Sequence, residues 1–141
     1  MTRRLLLGFV AGFIATLVFH QIALWILAHF HWIDRAPWNM KPVPPFGVPS
    51  VISLAFWGGV WGAVMIALLA KSRYLLLAST IFGAVLPTLV AGLIIQPMIK
   101  HQPMPHSGKM VAVGLIVNGA WGLGTALIYL ALERRRPRRL A

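Results

Sequence analysis

VISLAFWGGVWGAVMIALLA (Val51–Ala70), KSR (Lys71–Arg73) and YLLLASTIFGAVLPTLVAGLII (Tyr74–Ile95) follow one another without a break. Crossing about 30 Å of hydrocarbon as a helix takes about 20 residues, and each apolar run has that length. Neither run contains Asp, Glu, Lys or Arg. Three residues between them leave room for a tight turn and nothing else. The pattern predicts two membrane-spanning helices joined by a short turn.

Two further runs of the same kind flank the pair. Leu5–Phe30 precedes and Met110–Leu132 follows, and both also lack charged residues. The chain is 59% hydrophobic and 11% charged, against about 45–50% and about 25% in soluble domains. Surplus apolar surface of this kind has to face lipid. The predicted fold is all-α: one transmembrane domain over residues 1–141, an integral membrane four-helix bundle. Its spans cover about 5–30, 51–70, 74–95 and 110–132. The outer loops are 31–50 and 96–109, and a basic tail covers 133–141. The run after Arg3 and Arg4 has no small-residue cleavage site behind it, so it reads as a retained anchor.

A formal charge of +11 would suggest nucleic acid in a soluble chain. Here the charge is sorted by loop, which points to orientation and not to nucleic acid. Arg3 and Arg4, Lys71 and Arg73, and Arg134, Arg135, Arg136, Arg138 and Arg139 make up nine of the thirteen basic residues. Arg35, Lys41, Lys100 and Lys109 lie on the opposite side. Cytoplasmic loops carry the excess of Lys and Arg, so both termini are expected in the cytoplasm. Trp25, Trp32 and Trp38 then flank the outer interface, and Tyr74 and Tyr129 the inner one. The expected setting is a bacterial inner membrane; in a Gram-negative cell the outer loops would be periplasmic. Near an anionic leaflet each arginine of the tail contributes about 1 kcal/mol, which makes anionic lipid its expected partner.

The outer loops are proline-rich, with Pro37, Pro42, Pro44, Pro45 and Pro49 in the first and Pro97, Pro103 and Pro105 in the second. Proline lacks an N–H donor and favours extended backbone, so neither loop is expected to be helical. Pro49 suits the first turn of the second span. Trp32, Trp38, Met40 and Phe46 should hold the first loop on the membrane surface. A shift of 60 residues places Gly59, Trp61 and Gly62 on Gly119, Trp121 and Gly122. It suggests two parallel helical-hairpin repeats related by an axis along the membrane normal.

Inside the spans, small residues recur at helix-packing spacing: Gly8 with Gly12, Gly58 with Gly62, and Gly114, Asn118 and Gly122 in a ladder. In lipid, close backbone approach replaces the hydrophobic force as the means of association. Such stripes serve packing within the bundle or contact with a second copy or another membrane protein. The polar residues lie toward the outer side. Counting helical rise, His20 stands about 24 Å above Arg4 and Asn118 about 13 Å below Lys109. An unsatisfied polar group in hydrocarbon costs several kcal/mol, so these groups should face one another. The candidate is a polar, aromatic-lined pocket in the outer leaflet built from His20, Gln21, Trp57, Trp61, Asn118 and Trp121. Pro87 leaves the Gly83 carbonyl without its usual partner and is expected to kink the third span.

Several chemistries lose their residues. Asp34 and Glu133 are the only acidic side chains and lie on opposite sides, so no carboxylate pair exists for acid–base work. Cysteine is absent. There is no HExxH, GxSxG or phosphate-binding glycine loop. An enzyme is not expected, nor is a cofactor. His29, His31, His101 and His106 sit near the outer surface and offer a weak metal site; haem would need a second deep histidine beside His20. The expectation is a non-catalytic membrane protein that self-associates or serves as an accessory subunit. The alternatives are a small-solute carrier or channel subunit using the outer pocket, and an outer-face binder of metal or haem.

Overall fold

In a computed structural model describing residues 1–99 and 107–134, four helices are long and apolar enough to cross a membrane. They are Thr2–His29, Ser50–Leu69, Leu75–Ile95 and Gly108–Arg134. The first span comprises α1 (Thr2–Ala15), a π-helical turn (Thr16–His20) and α2 (Gln21–His29). A two-stranded antiparallel hairpin, β1 (Pro42–Val43) and β2 (Val48–Pro49), precedes α3 (Ser50–Leu69). The third span is α4 (Leu75–Val90) continued by a π-helical segment, Ala91–Ile99. The last is α5 (Gly108–Arg134).

The outward faces of these helices are apolar: Leu68 is 67% exposed, and Phe56, Leu77, Ile81 and Leu93 are exposed with it. A helix that is apolar on every side belongs in a core or in lipid. Lipid is the surrounding that suits this exterior, and the chain is a multi-pass membrane protein.

Two glycine crossings build the bundle. In the first hairpin Gly8 and Gly12 of α1 meet Gly58 and Gly62 of α3; a Cβ added at Gly8 would stand 2.8 Å from the Gly62 carbonyl oxygen. In the second, Gly83 of α4 meets Gly122 of α5; a Cβ at Gly83 would stand 2.8 Å from the Gly122 Cα. Backbone lies opposite Gly8, Gly12, Gly62, Gly83 and Gly122, so no side chain could move aside there for an added methyl, and Gly58 faces the Thr16 side chain. The stripes read from sequence are therefore used inside the molecule. Gly114 extends the second seam by making room for the Thr88 methyl.

The two hairpins make matching contacts. Gly62 and Gly122, equivalent under the 60-residue shift, each meet a glycine of their own hairpin partner, Gly12 and Gly83. Trp61 and Trp121, equivalent under the same shift, each reach across to the other hairpin. Trp61 sits edge-on to Phe82 of α4, ring centroids 6.0 Å apart. Trp121 donates its indole N–H to the Gly12 carbonyl of α1 at 3.0 Å. Trp121 belongs to the main apolar core with Ala11, Met65, Ile66, Phe82 and Ala126, and Trp61 packs against it.

Four local features differ from expectation. Pro97 lies inside the helical segment Ala91–Ile99 and not in a non-helical loop; in the wider i→i+5 pattern a missing N–H breaks one bond without ending the helix. Pro49 precedes the first turn of α3 as its N-cap residue, in extended conformation. Tyr129 is 1% exposed and packs into the core instead of on the outer surface of the bundle. The first outer loop does not merely rest on the surface, as described next. Pro103, Pro105, Lys100 and the arginines from Arg135 onward lie outside the described residues.

Candidate functional site

A π-helical turn, Thr16–His20, precedes the C-terminal half of the first span. Where it ends, the winding tightens: the Gln21 N–H bonds to the Val18 carbonyl three residues back, where a regular helix would take it to Leu17. The Leu17 carbonyl receives the indole N–H of Trp38 at 2.9 Å. Trp38 adopts a left-handed backbone (φ 48°), and its own N–H donates to Gln21 Oε1 at 2.7 Å. Leu17 stands about 18 Å below the outer end of α2, from helical rise. The loop thus doubles back along the first span and places Trp38 beside the π-turn.

Gln21 is the centre of this cluster. Its side chain is buried, and its Nε2 lies 3.2 Å from His20 Nδ1. Because Oε1 accepts from Trp38, Nε2 is left to donate, so a neutral His20 ring carries its proton on Nε2.

The loop then caps α3. The Ser50 and Val51 N–H groups donate to the carbonyls of Lys41 and Asn39 at 2.9 and 3.0 Å. Two donors that a helix N-terminus leaves open are satisfied by backbone and not by a capping side chain. The tip beyond, with Phe46 86% exposed, turns through Gly47 in left-handed conformation (φ 65°).

The other polar groups pair along the helix seams. Asn118 Nδ2 donates to Thr88 Oγ1 at 2.9 Å, joining α5 to α4. The Gly12 carbonyl accepts from Thr16 Oγ1 at 2.9 Å as well as from Trp121. Thr125 Oγ1 returns to the Trp121 carbonyl at 2.8 Å.

Of the six residues expected to share a pocket, the structure joins His20 directly to Gln21. Asn118 engages the α4–α5 seam, Trp121 engages α1, and Trp61 packs on Phe82. Trp57 is 58% exposed and lies edge-on to Phe56. Residues not placed in that set but tied to it are Trp38, Thr16, Thr88 and Thr125. Trp38 carried a signal, a tryptophan in a proline-rich loop, but its partner is a backbone carbonyl, which no side-chain pattern announces.

Among the described residues no three His, Asp or Glu side chains gather. His29 stacks on Trp25, ring centroids 5.6 Å apart. His31 ends α2 in left-handed conformation (φ 56°), with Trp32 N–H bonded to the Leu27 carbonyl at 2.8 Å and its own N–H to Ala28 at 3.0 Å. That is the Schellman arrangement. His101 and His106 lie outside the described residues. Against known proteins, no family model, curated protein or solved structure matches the chain.

Proposed function

We propose that the chain is a non-catalytic accessory subunit of a membrane assembly, with both termini in the cytoplasm. It presents its braced outer loop to another membrane protein. One observation carries this reading: Gln21, Asn118 and Trp121 bond to the loop, to a neighbouring helix and to the backbone, which is the behaviour of structural glue. The only ionisable side chain among the six candidates is His20, too few for paired acid–base chemistry. The glycine seams work within the molecule, so a partner would meet other surfaces. Trp32, Met40 and Phe46 are exposed on a loop that Trp38 fastens to the first span.

The absence of native cysteine allows a clean test. Phe46→Cys and Leu77→Cys chains, crosslinked in native membranes, should differ. Phe46→Cys is expected to capture one defined polypeptide in stoichiometric yield, and Leu77→Cys none. A protein that purifies alone and gains thermal stability from a small solute would favour a carrier instead.

A further inference from the structure

We propose that the turn between the second and third spans holds one anionic phospholipid, its phosphate on Arg73 and an acyl chain along Leu76, Leu77 and Leu130. An open cavity of about 460 Å³ lies at this end of the bundle, lined by these residues with Ser72 and Tyr74. Its lining divides by chemistry. Arg73, Ser72 and the Tyr74 hydroxyl supply donors at the turn, and leucines from α4 and α5 form the wall on the hydrocarbon side.

Arg73 is positioned before any ligand arrives. Its guanidinium stands 4.4 Å from the centroid of the Tyr74 ring and donates through Nη2 to the Tyr74 hydroxyl. A cation–π contact of this kind holds the charge while leaving other N–H donors of the fork available. Lys71 adds a second cation two residues away. The chain has thirteen Lys and Arg against two acids, so its cations must find anions outside the protein.

The position selects the occupant. The cavity opens where two spans leave the hydrocarbon, and a ligand there must pair an anionic head with an apolar tail. A free phosphate would leave the leucine wall uncovered, and a zwitterionic headgroup would place its own ammonium beside Arg73. An anionic phospholipid satisfies both halves. Cation–phosphate contacts are charge-assisted and specific in geometry, unlike diffuse attraction of the tail to a leaflet.

The test uses the full chain in detergent, with native mass spectrometry reading lipid adducts. Titration with phosphatidylglycerol should give one tightly retained lipid per chain, in preference to phosphatidylcholine. Arg73→Gln should weaken retention by roughly fivefold, the value of one cation at an anionic surface. Leu130→Trp, which keeps every charge but fills the wall, should weaken it comparably. Arg35→Gln, on the outer loop, should leave it unchanged. Glycerol phosphate should not compete at the lipid's concentration. Circular dichroism without added lipid verifies that each variant is folded. Equal retention of the two lipids, competition by glycerol phosphate, or loss in Arg73→Gln with none in Leu130→Trp would overturn the proposal.

Discussion

The indole N–H of Trp121 donates to the carbonyl of Gly12 across 3.0 Å, joining the last span to the first. Gly12 is also where α1 meets α3 at the glycine crossing. One backbone position therefore ties three of the four spans. Trp121→Phe removes the donor and part of a buried ring, while the Gly12 carbonyl retains its Thr16 partner. It should lower stability by about 2 kcal/mol or more, the lost bond and the cavity together. Trp61→Phe, at a half-buried ring packed against the core, should cost less, about 1 kcal/mol. Unfolding in mixed micelles distinguishes the two.

The crossings leave no room for a methyl group. Gly62→Ala should destabilise by about 2 kcal/mol or more, since an added Cβ would meet the backbone of Gly8 and Gly12. Gly108→Ala serves as control: among the described residues nothing lies within 4 Å of its Cβ position. Thermal melts monitored by size-exclusion chromatography provide the readout. Equal melting of both variants would show that the helices do not approach here.

Trp38 fastens the outer loop through two hydrogen bonds, one from its backbone and one from its indole. Trp38→Ala removes the indole donor and the ring, while Gln21→Ala removes the acceptor of the backbone bond. Both variants should free the loop, so that proteolysis between residues 38 and 47 accelerates about tenfold or more while the spans stay intact. Unchanged cleavage in either variant would mean that the loop is held elsewhere.

Asn118 and Thr88 form a hydrogen bond between neighbouring spans. A double-mutant cycle with Asn118→Ala and Thr88→Val should give a coupling of about 0.6 kcal/mol, the average for such pairs in a bilayer. A coupling of zero would place the two side chains apart.

Much of this was legible in the sequence, because lipid imposes a coarse and severe rule. Runs such as Val51–Ala70 and Tyr74–Ile95 have no competing soluble interpretation, and the four spans match the expected ones within a few residues at each end. Gly8, Gly12, Gly58 and Gly62 were recognisable as packing residues from spacing alone, as was the likeness of Gly62 to Gly122. The partner of each stripe was not readable, since spacing states that a face is flat but not what lies against it. The π-turn at Thr16–His20 was also hidden, because a one-residue change in winding leaves an apolar pattern unaltered. That turn places Trp38 beside Leu17 and Gln21, and so determines how the outer polar residues are distributed. Counting rise puts Asn118, Trp121 and His20 in the same half of the bilayer, but depth does not set azimuth around the bundle. Their partners follow from helix rotation, which only tertiary packing fixes.

The most direct measurement of the whole account is cysteine accessibility in intact cells, against a background with no native cysteine. A membrane-impermeant maleimide should label Phe46→Cys from outside. It should reach Ser72→Cys, in the turn joining the second and third spans, only after the membrane is opened. Labelling of both positions in sealed cells, or of Ser72→Cys alone, would contradict a four-span bundle with both ends in the cytoplasm.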